Sequence, residues 1–155
     1  QWQVNLMAPM RMGRWMARLH AGTAAGHASL IHVLDQKVFN LNPDYFSYTL
    51  SKLALHQAVA LQAQALAPVL RVNAVAPGLM YLSGPQSPEN FQVAARVNLL
   101  RHAIDPTQVA QSVLFLAQNT GITGASLSVD NGQHLVGMTR DVMNVPIEEL
   151  RKYLP

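Results

Sequence analysis

The chain has 155 residues, of which 50% are hydrophobic and 12% are charged, with a formal net charge of +3 and no cysteine. The apolar content argues against a disordered chain, and the absence of cysteine excludes disulfide scaffolds, thiolate metal sites and thiol nucleophiles. Because no apolar run reaches about 18 residues and no secretory signal pattern opens the chain, we expect a cytoplasmic protein with no membrane partner.

Hydrophobic spacing and turn residues predict the secondary structure. The predicted elements are a helix over 1–20, a strand over 29–35, a helix over 45–67, a strand over 70–76, a weak helix over 88–100, a helix from Asp105-Pro106 to about Gln118, a strand over 125–130 and a short helix opened by Pro146. The alternation of helices and strands predicts an α/β fold with a parallel sheet. The helix over 45–67 is apolar nearly all round, so we expect it to be buried on more than one side.

The first predicted helix carries three arginines, Arg11, Arg14 and Arg18, roughly on one side. A basic face of this kind can meet nucleic acid, but no aromatic residues alternate with the arginines to form a stacking platform. We therefore interpret the stripe as a solvated face and expect no nucleic-acid partner.

The most specific chemical feature is the pair Tyr48 and Lys52. A spacing of four places both side chains on one helix face, one turn apart. A free tyrosine has a pKa near about 10, and a nearby cation favours the phenolate and lowers that pKa. Such a pair can pass a proton to or from a substrate oxygen or nitrogen.

Two further features point to the same place. Asp35 ends the first predicted strand, thirteen residues before Tyr48, and Pro77-Gly78 ends the second. In an open parallel sheet, ligands bind outside the carboxyl ends of the strands. The sequence therefore predicts that Asp35, Tyr48 and the Pro-Gly turn share one site.

Several blocks together resemble the C-terminal part of a short-chain dehydrogenase/reductase. They are Asn5, Tyr48-x-x-x-Lys52, Arg71-Val-Asn-Ala-Val-Ala-Pro-Gly78 and Ile122-Thr-Gly-Ala-Ser-Leu-Ser-Val-Asp-Asn-Gly132. The resemblance implies part of a Rossmann-type, doubly wound parallel sheet. Where the family usually has serine, this chain has Asp35, which resembles the pteridine reductase and dihydromonapterin reductase branch. The segments 77–82 and 130–135 resemble that branch as well.

The resemblance implies roles for individual residues. Tyr48 would deliver a proton with support from Asp35, Lys52 would lower the pKa of Tyr48 and bind the nicotinamide ribose, and Asn5 would hold a water in the proton relay. NADPH would be the hydride donor and would contact Tyr48, Lys52, Pro77, Gly78 and Leu79. The small-molecule substrate would contact Asp35, Tyr48, Leu79 and Leu82.

The glycine-rich turn that receives a dinucleotide pyrophosphate has no counterpart here, since Gly22 and Gly26 precede the first predicted strand. We therefore expect residues 1–136 to be a partial domain without its N-terminal nucleotide-binding half, followed by a tail over 137–155 that contains a short helix. The six histidines lack metal-site spacing, so we expect no metal, and His32 is interpreted as a core histidine.

Three functions remain open at this point. The first is an NADPH-dependent reductase of a pterin-type C=N bond. The second is a carbonyl reductase of the same family acting on an oxoacyl-type substrate. The third is a non-catalytic fragment or oligomerisation module, in which the helices 1–20 and 45–67 pair copies of the chain into a homo-oligomer.

Overall fold

The structure, a computed structural model, describes residues 1–154. A π-helical turn, Gln3–Met7, runs into the first α-helix. The helices are α1 (Ala8–Leu19), α2 (Phe46–Leu66), α3 (Pro88–Ala94), α4 (Pro106–Gln118) and α5 (Ile147–Leu150), and the strands are β1 (Ala28–Val33), β2 (Leu70–Pro77) and β3 (Ser126–Val129). The predicted order of helices and strands is confirmed.

Two boundaries differ from the prediction by more than one residue. The strand β1 stops at Val33, because Asp35 turns the chain into a short 3-10 helix by accepting a hydrogen bond from the backbone of Lys37. The helix α3 ends at Ala94 rather than near residue 100. The buried Asn98 side chain donates to the carbonyls of Ala95 and His102 and thereby folds this stretch into a turn.

The three strands form a parallel sheet in the order β1-β2-β3, with β2 in the centre. Side chains along β2 alternate between two apolar layers, as the period of a strand requires. Val72 and Ala74 pack with Leu55 of α2, whereas Val75 packs with Val109 of α4 on the opposite face. The predicted α/β fold with a parallel sheet is therefore confirmed.

The helix α1 lies against α2 at a point of close approach. A Cβ on Gly13 would come within 2.4 Å of the amide nitrogen of Gln62, so a larger residue here would displace the Gln62 side chain. Gln62 is buried, donates to the carbonyl of Met10 and bonds through its side-chain oxygen to His32 Nε2 at 2.7 Å. His32 is thus a satisfied core histidine, as predicted, and burial lowers its pKa.

Other surfaces of the long helices are open. Trp15 and Leu19 of α1 are 75% and 78% exposed, and Leu61 of α2 is 62% exposed, so the expected burial of α2 holds for only part of its circumference. The three arginines of α1 are exposed, as predicted. Within residues 1–154, no helix combines the length and apolar character needed to cross a membrane.

The C-terminal segment packs onto the rest of the molecule. Val142, Val145 and Leu150 form an apolar cluster with Ala94 of α3 and with Val97. The sequence analysis treats the tail over 137–155 as separate from residues 1–136. In the structure this tail shares an apolar core with residues of the preceding part.

One buried side chain connects two loops and the end of α4 to β2. Arg71 donates to the carbonyls of Gly26, Leu116, Ala117 and Ile122 at 2.7–3.1 Å. The guanidinium has a planar fork of donors that serves several acceptors at once, and it satisfies the last carbonyls of α4.

We expect Arg71→Lys to lower the free energy of unfolding by about 2–4 kcal/mol, because one ammonium cannot reach four carbonyls and leaves buried acceptors unpaired. Denaturant titration of the variant and the parent measures this difference. The matched control is Arg18→Lys on the exposed face of α1, which should change the unfolding free energy by less than about 0.5 kcal/mol. Equal effects at the two positions would contradict the assigned role.

Candidate active site

The turn after β1 presents a carboxylate at the edge where the parallel strands end. One oxygen of Asp35 accepts a hydrogen bond from the backbone of Lys37 at 2.8 Å, which fixes the side-chain orientation. The other oxygen accepts a hydrogen bond from the Tyr48 hydroxyl at 2.7 Å. The structure thus brings together the two residues that the sequence placed in one site.

Lys52 lies one helical turn beyond Tyr48 on α2. Its Nζ donates to the carbonyl of Val33 at 2.8 Å and lies 5.7 Å from the centre of the Tyr48 ring. Both residues therefore face the carboxyl end of β1, as the spacing predicts.

The expected effect of Lys52 on Tyr48 is not found. Burial and the negative charge of Asp35, together with the hydrogen bond between the two side chains, raise the pKa of Tyr48 well above its usual range. Burial also lowers the pKa of Lys52, although Asp35 opposes this effect. Tyr48 is therefore protonated at neutral pH, chiefly because it is buried, and Asp35 is the charged group with the largest effect on its pKa.

Asn5 belongs to the π-helical turn that precedes α1. Its side-chain amide donates to Gln1 Oε1 at 2.8 Å and to Ser51 Oγ at 3.1 Å. Ser51 in turn donates to the carbonyl of Tyr48 at 2.6 Å. Asn5 is therefore connected to the backbone of Tyr48 and lies outside the cleft that the tyrosine lines.

A cleft of about 500 Å³ opens beside the tyrosine hydroxyl. Five of the predicted site residues line it: Asp35, Tyr48, Gly78, Leu79 and Leu82. Pro77, the last residue of β2, and Lys52 lie outside the lining. Residues that the sequence analysis missed complete the walls, among them Lys37, Tyr45, Gln133, Asp141 and Met143.

Gln133 holds the segment that follows β2. Its side-chain oxygen accepts a hydrogen bond from the backbone of Leu79 at 2.9 Å. A Cβ on Gly78 would come within 2.4 Å of that oxygen and 2.5 Å of Ile104, so glycine is required here by close packing. The sequence gives little sign that Gln133 belongs to the site, because a polar residue three positions after Asp130 is typical of an ordinary turn.

Among residues 1–154, no three His, Asp or Glu side chains are grouped so that they could hold a metal ion. The ionisable side chains that line the cleft are the phenols of Tyr45, Tyr48 and Tyr81, the carboxylates of Asp35 and Asp141, and the ammonium of Lys37.

Comparison with known proteins gives a family and several relatives. A family model described as enoyl-(acyl carrier protein) reductase matches residues 1–134. The dihydromonapterin reductase of Citrobacter koseri is 30% identical over 133 residues, which cover 86% of this chain and 55% of that protein. A dihydromonapterin reductase of Escherichia coli is 29% identical over the same shares of the two chains.

Solved structures agree with the family. FolM alternative dihydrofolate reductase 1 from Brucella canis, in complex with NADP, superposes with a TM-score of 0.83 at 37% identity, covering 90% of this chain and 55% of that one. The Brucella suis protein of the same name, also with NADP, gives a TM-score of 0.79 at 36% identity over 90% and 56% of the two chains. The chain spans about half the length of the curated relatives it matches. With its parallel sheet and the match over residues 1–134, the chain belongs to the short-chain dehydrogenase/reductase family.

Proposed function

We propose that the protein is an NADPH-dependent oxidoreductase that reduces a pterin-type C=N bond. The hydrogen bond of 2.7 Å from Tyr48 to Asp35 at the cleft carries the proposal, because a carboxylate at this position can bind the amino-pyrimidine edge of a pterin. The names of the relatives, dihydromonapterin reductase and FolM alternative dihydrofolate reductase, support the same substrate class.

The residues present fit a nicotinamide cofactor. Within residues 1–154 the Lys52 ammonium bonds to one carbonyl, that of Val33, and the side chain is only partly buried, so two of its three protons are available to ribose hydroxyls. Tyr48 and Lys52 would hold the ribose, and the backbone at 77–79 would flank the nicotinamide. NADPH, when bound, supplies a hydride, and relatives solved with NADP support this choice of cofactor.

The proton required at the substrate nitrogen would come from Tyr48. Because its pKa is raised, Tyr48 holds that proton at neutral pH, and the hydrogen bond to Asp35 orients the hydroxyl. The phenolate left behind would lie beside the Asp35 carboxylate, which disfavours it, and water in the open cleft would return the proton. Asp35 thus orients the hydroxyl and favours its reprotonation, although it supplies no proton itself.

The remaining predicted residues would support this chemistry. Leu79 and Leu82 give the cleft apolar wall on which a flat heteroaromatic ring can lie. Asn5, through Ser51 and the carbonyl of Tyr48, would stabilise the first turns of α2 and hold a water of the relay.

We also infer that residues 1–136 form part of a larger nucleotide-binding domain. The strand β1 pairs with β2 on one side, and its last residue, Val33, is 53% exposed. An open sheet edge of this kind accepts a further strand. Trp15 and Leu19 of α1, both exposed, support a homo-oligomer formed through α1 and α2.

The proposed reaction predicts that the protein, as the cell makes it, oxidises NADPH with a dihydropterin faster than with a 3-oxoacyl thioester. We expect Tyr48→Phe to lower kcat about a hundredfold to ten-thousandfold, since the proton donor is removed and the ring retained. Spectrophotometric NADPH oxidation measures both rates.

The control is Tyr153→Phe in the C-terminal cluster, which should leave kcat unchanged. Full activity of Tyr48→Phe would overturn the proton-donor role. A preference for the 3-oxoacyl thioester would instead assign the second function, a carbonyl reductase. A stable oligomer that neither binds nor oxidises NADPH would assign the third, an interaction module.

We expect Asp35→Asn to lower the pKa of Tyr48, because the substitution removes the nearest negative charge that disfavours the phenolate and leaves burial and the weaker effect of Asp141 to raise it. Ultraviolet difference titration against the same chain carrying Tyr48→Phe isolates the ionisation of this tyrosine. Asp105→Asn, at the start of α4, is the matched control and should leave that ionisation unchanged. A midpoint that does not fall in Asp35→Asn would refute the electrostatic account.

A further inference from the structure

One cation in the cleft has no part in the proposed proton transfer. Lys37 is 3% exposed and lines the same cleft as Asp35 and Tyr48. Its Nζ donates to Asp141 Oδ2 at 2.6 Å, across 104 positions of the chain. A charged lysine is rarely buried unless it is paired. The position of Lys37 inside the cleft therefore depends on its ion pair with Asp141.

Lys37 connects two walls of the cleft. Its backbone nitrogen binds the Asp35 carboxylate, and its ammonium lies 5.2 Å from the centre of the Tyr45 ring. Tyr45 precedes α2 with a φ of 55°, a conformation that side-chain-bearing residues seldom adopt, so its backbone must be held by its surroundings. Lys37 supplies one of those contacts.

The opposite partner belongs to the C-terminal segment. Asp141 accepts the backbone hydrogen bond of Met143 with its other oxygen and so begins the 3-10 turn Val142–Asn144. Asp141, Val142 and Met143 all line the cleft. The ion pair with Lys37 therefore determines where this turn lies relative to the residues of the predicted proton relay.

A second ion pair reinforces the first. The two oxygens of Asp44 share the single Nε–H of Arg140, at 2.8 and 3.0 Å, and one of them also accepts from the backbone of Asp141 at 2.8 Å. These bonds hold the pKa of Asp44 well below its usual range. The segment 140–144 is thus attached by two neighbouring carboxylates and two cations to the segment 37–45, which joins β1 to α2.

We propose that Lys37 is a positioning residue, which through Asp141 holds the segment 140–144 as a wall of the substrate cleft and thereby sets substrate affinity. Its ammonium bonds to Asp141, whereas the Tyr48 hydroxyl bonds to Asp35, so the two pairs share no side chain. The charge of Asp141 reaches Tyr48 only as the weakest of the effects that raise the pKa of that tyrosine. Loss of the ion pair should weaken substrate binding more than it slows proton transfer. The kinetic part of this inference rests on the proposed reductase activity.

The first experiment needs no substrate. Hydrogen exchange of the protein is measured by mass spectrometry for the parent, Lys37→Met, Asp141→Asn and the double variant. We expect the peptide covering 140–144 to exchange at least about tenfold faster in each variant, while α2 and β2 keep their protection. The double variant should be no worse than either single variant, because both remove the same ion pair.

The second experiment measures KM and kcat for a dihydropterin on the same four proteins as the cell makes them. We expect KM to rise about tenfold and kcat to change less than about threefold in every variant. Lys152→Met, which removes an exposed lysine, is the matched control and should change neither exchange nor KM. Asp141→Asn keeps a side-chain oxygen that can accept the hydrogen bond from the backbone of Met143. This variant therefore tests the ion pair even if Lys37→Met does not fold.

Unchanged exchange at 140–144, or additive effects in the double variant, would overturn the positioning role whatever the enzyme's activity. Faster exchange with an unchanged KM, or a loss confined to kcat, would refute the effect on substrate affinity. If the parent does not reduce dihydropterins, the proposed function fails, and the exchange measurement alone still decides whether Lys37 positions the segment.

Discussion

The complete burial of β2 is the constraint on which the rest of the structure depends. This strand is paired on both sides and covered by α2 on one face and α4 on the other. Because all three strands run in the same direction, the residues after β1 and β2 emerge at one edge. Asp35 and Gly78 therefore meet at one cleft although 43 positions separate them.

The electrostatic state of Tyr48 follows from the same topology. The turn after β1 brings a carboxylate to the hydroxyl, whereas Lys52 extends along α2 to the carbonyl of Val33. The phenol consequently keeps its proton more tightly than a free tyrosine does. The proton is therefore present at neutral pH, but the raised pKa also makes the phenol a weaker acid. In the proposed reaction the proton would leave only as hydride addition makes the substrate nitrogen strongly basic.

Local signals in the sequence predict the helices and strands and place Asp35 and Tyr48 close together, as the structure has them. Asp105-Pro106 marks the start of α4, and the spacing of Tyr48 and Lys52 places both side chains at one edge. The expected lowering of the Tyr48 pKa was wrong for a physical reason. The spacing of Tyr48 and Lys52 shows only that the two residues are neighbours on the helix. The burial of Tyr48 and the hydrogen-bond partner of its hydroxyl, which determine its pKa, depend on the tertiary fold.

Gln133 and Asp141 show why the rest of the site could not be derived from sequence. In the sequence, each resembles an ordinary turn residue. Each has a role only through a partner far away in the chain: Gln133 binds the backbone of Leu79, and Asp141 binds the ammonium of Lys37. A buried polar group must find its partner inside the fold, since leaving it unpaired costs more than the bond itself contributes. The C-terminal segment is therefore bound to the cleft by the requirement to satisfy buried charges. Variation in that segment should change the shape of the cleft while leaving the residues of the proposed proton relay in place, and at Asp141 it should also change a charge that acts on Tyr48.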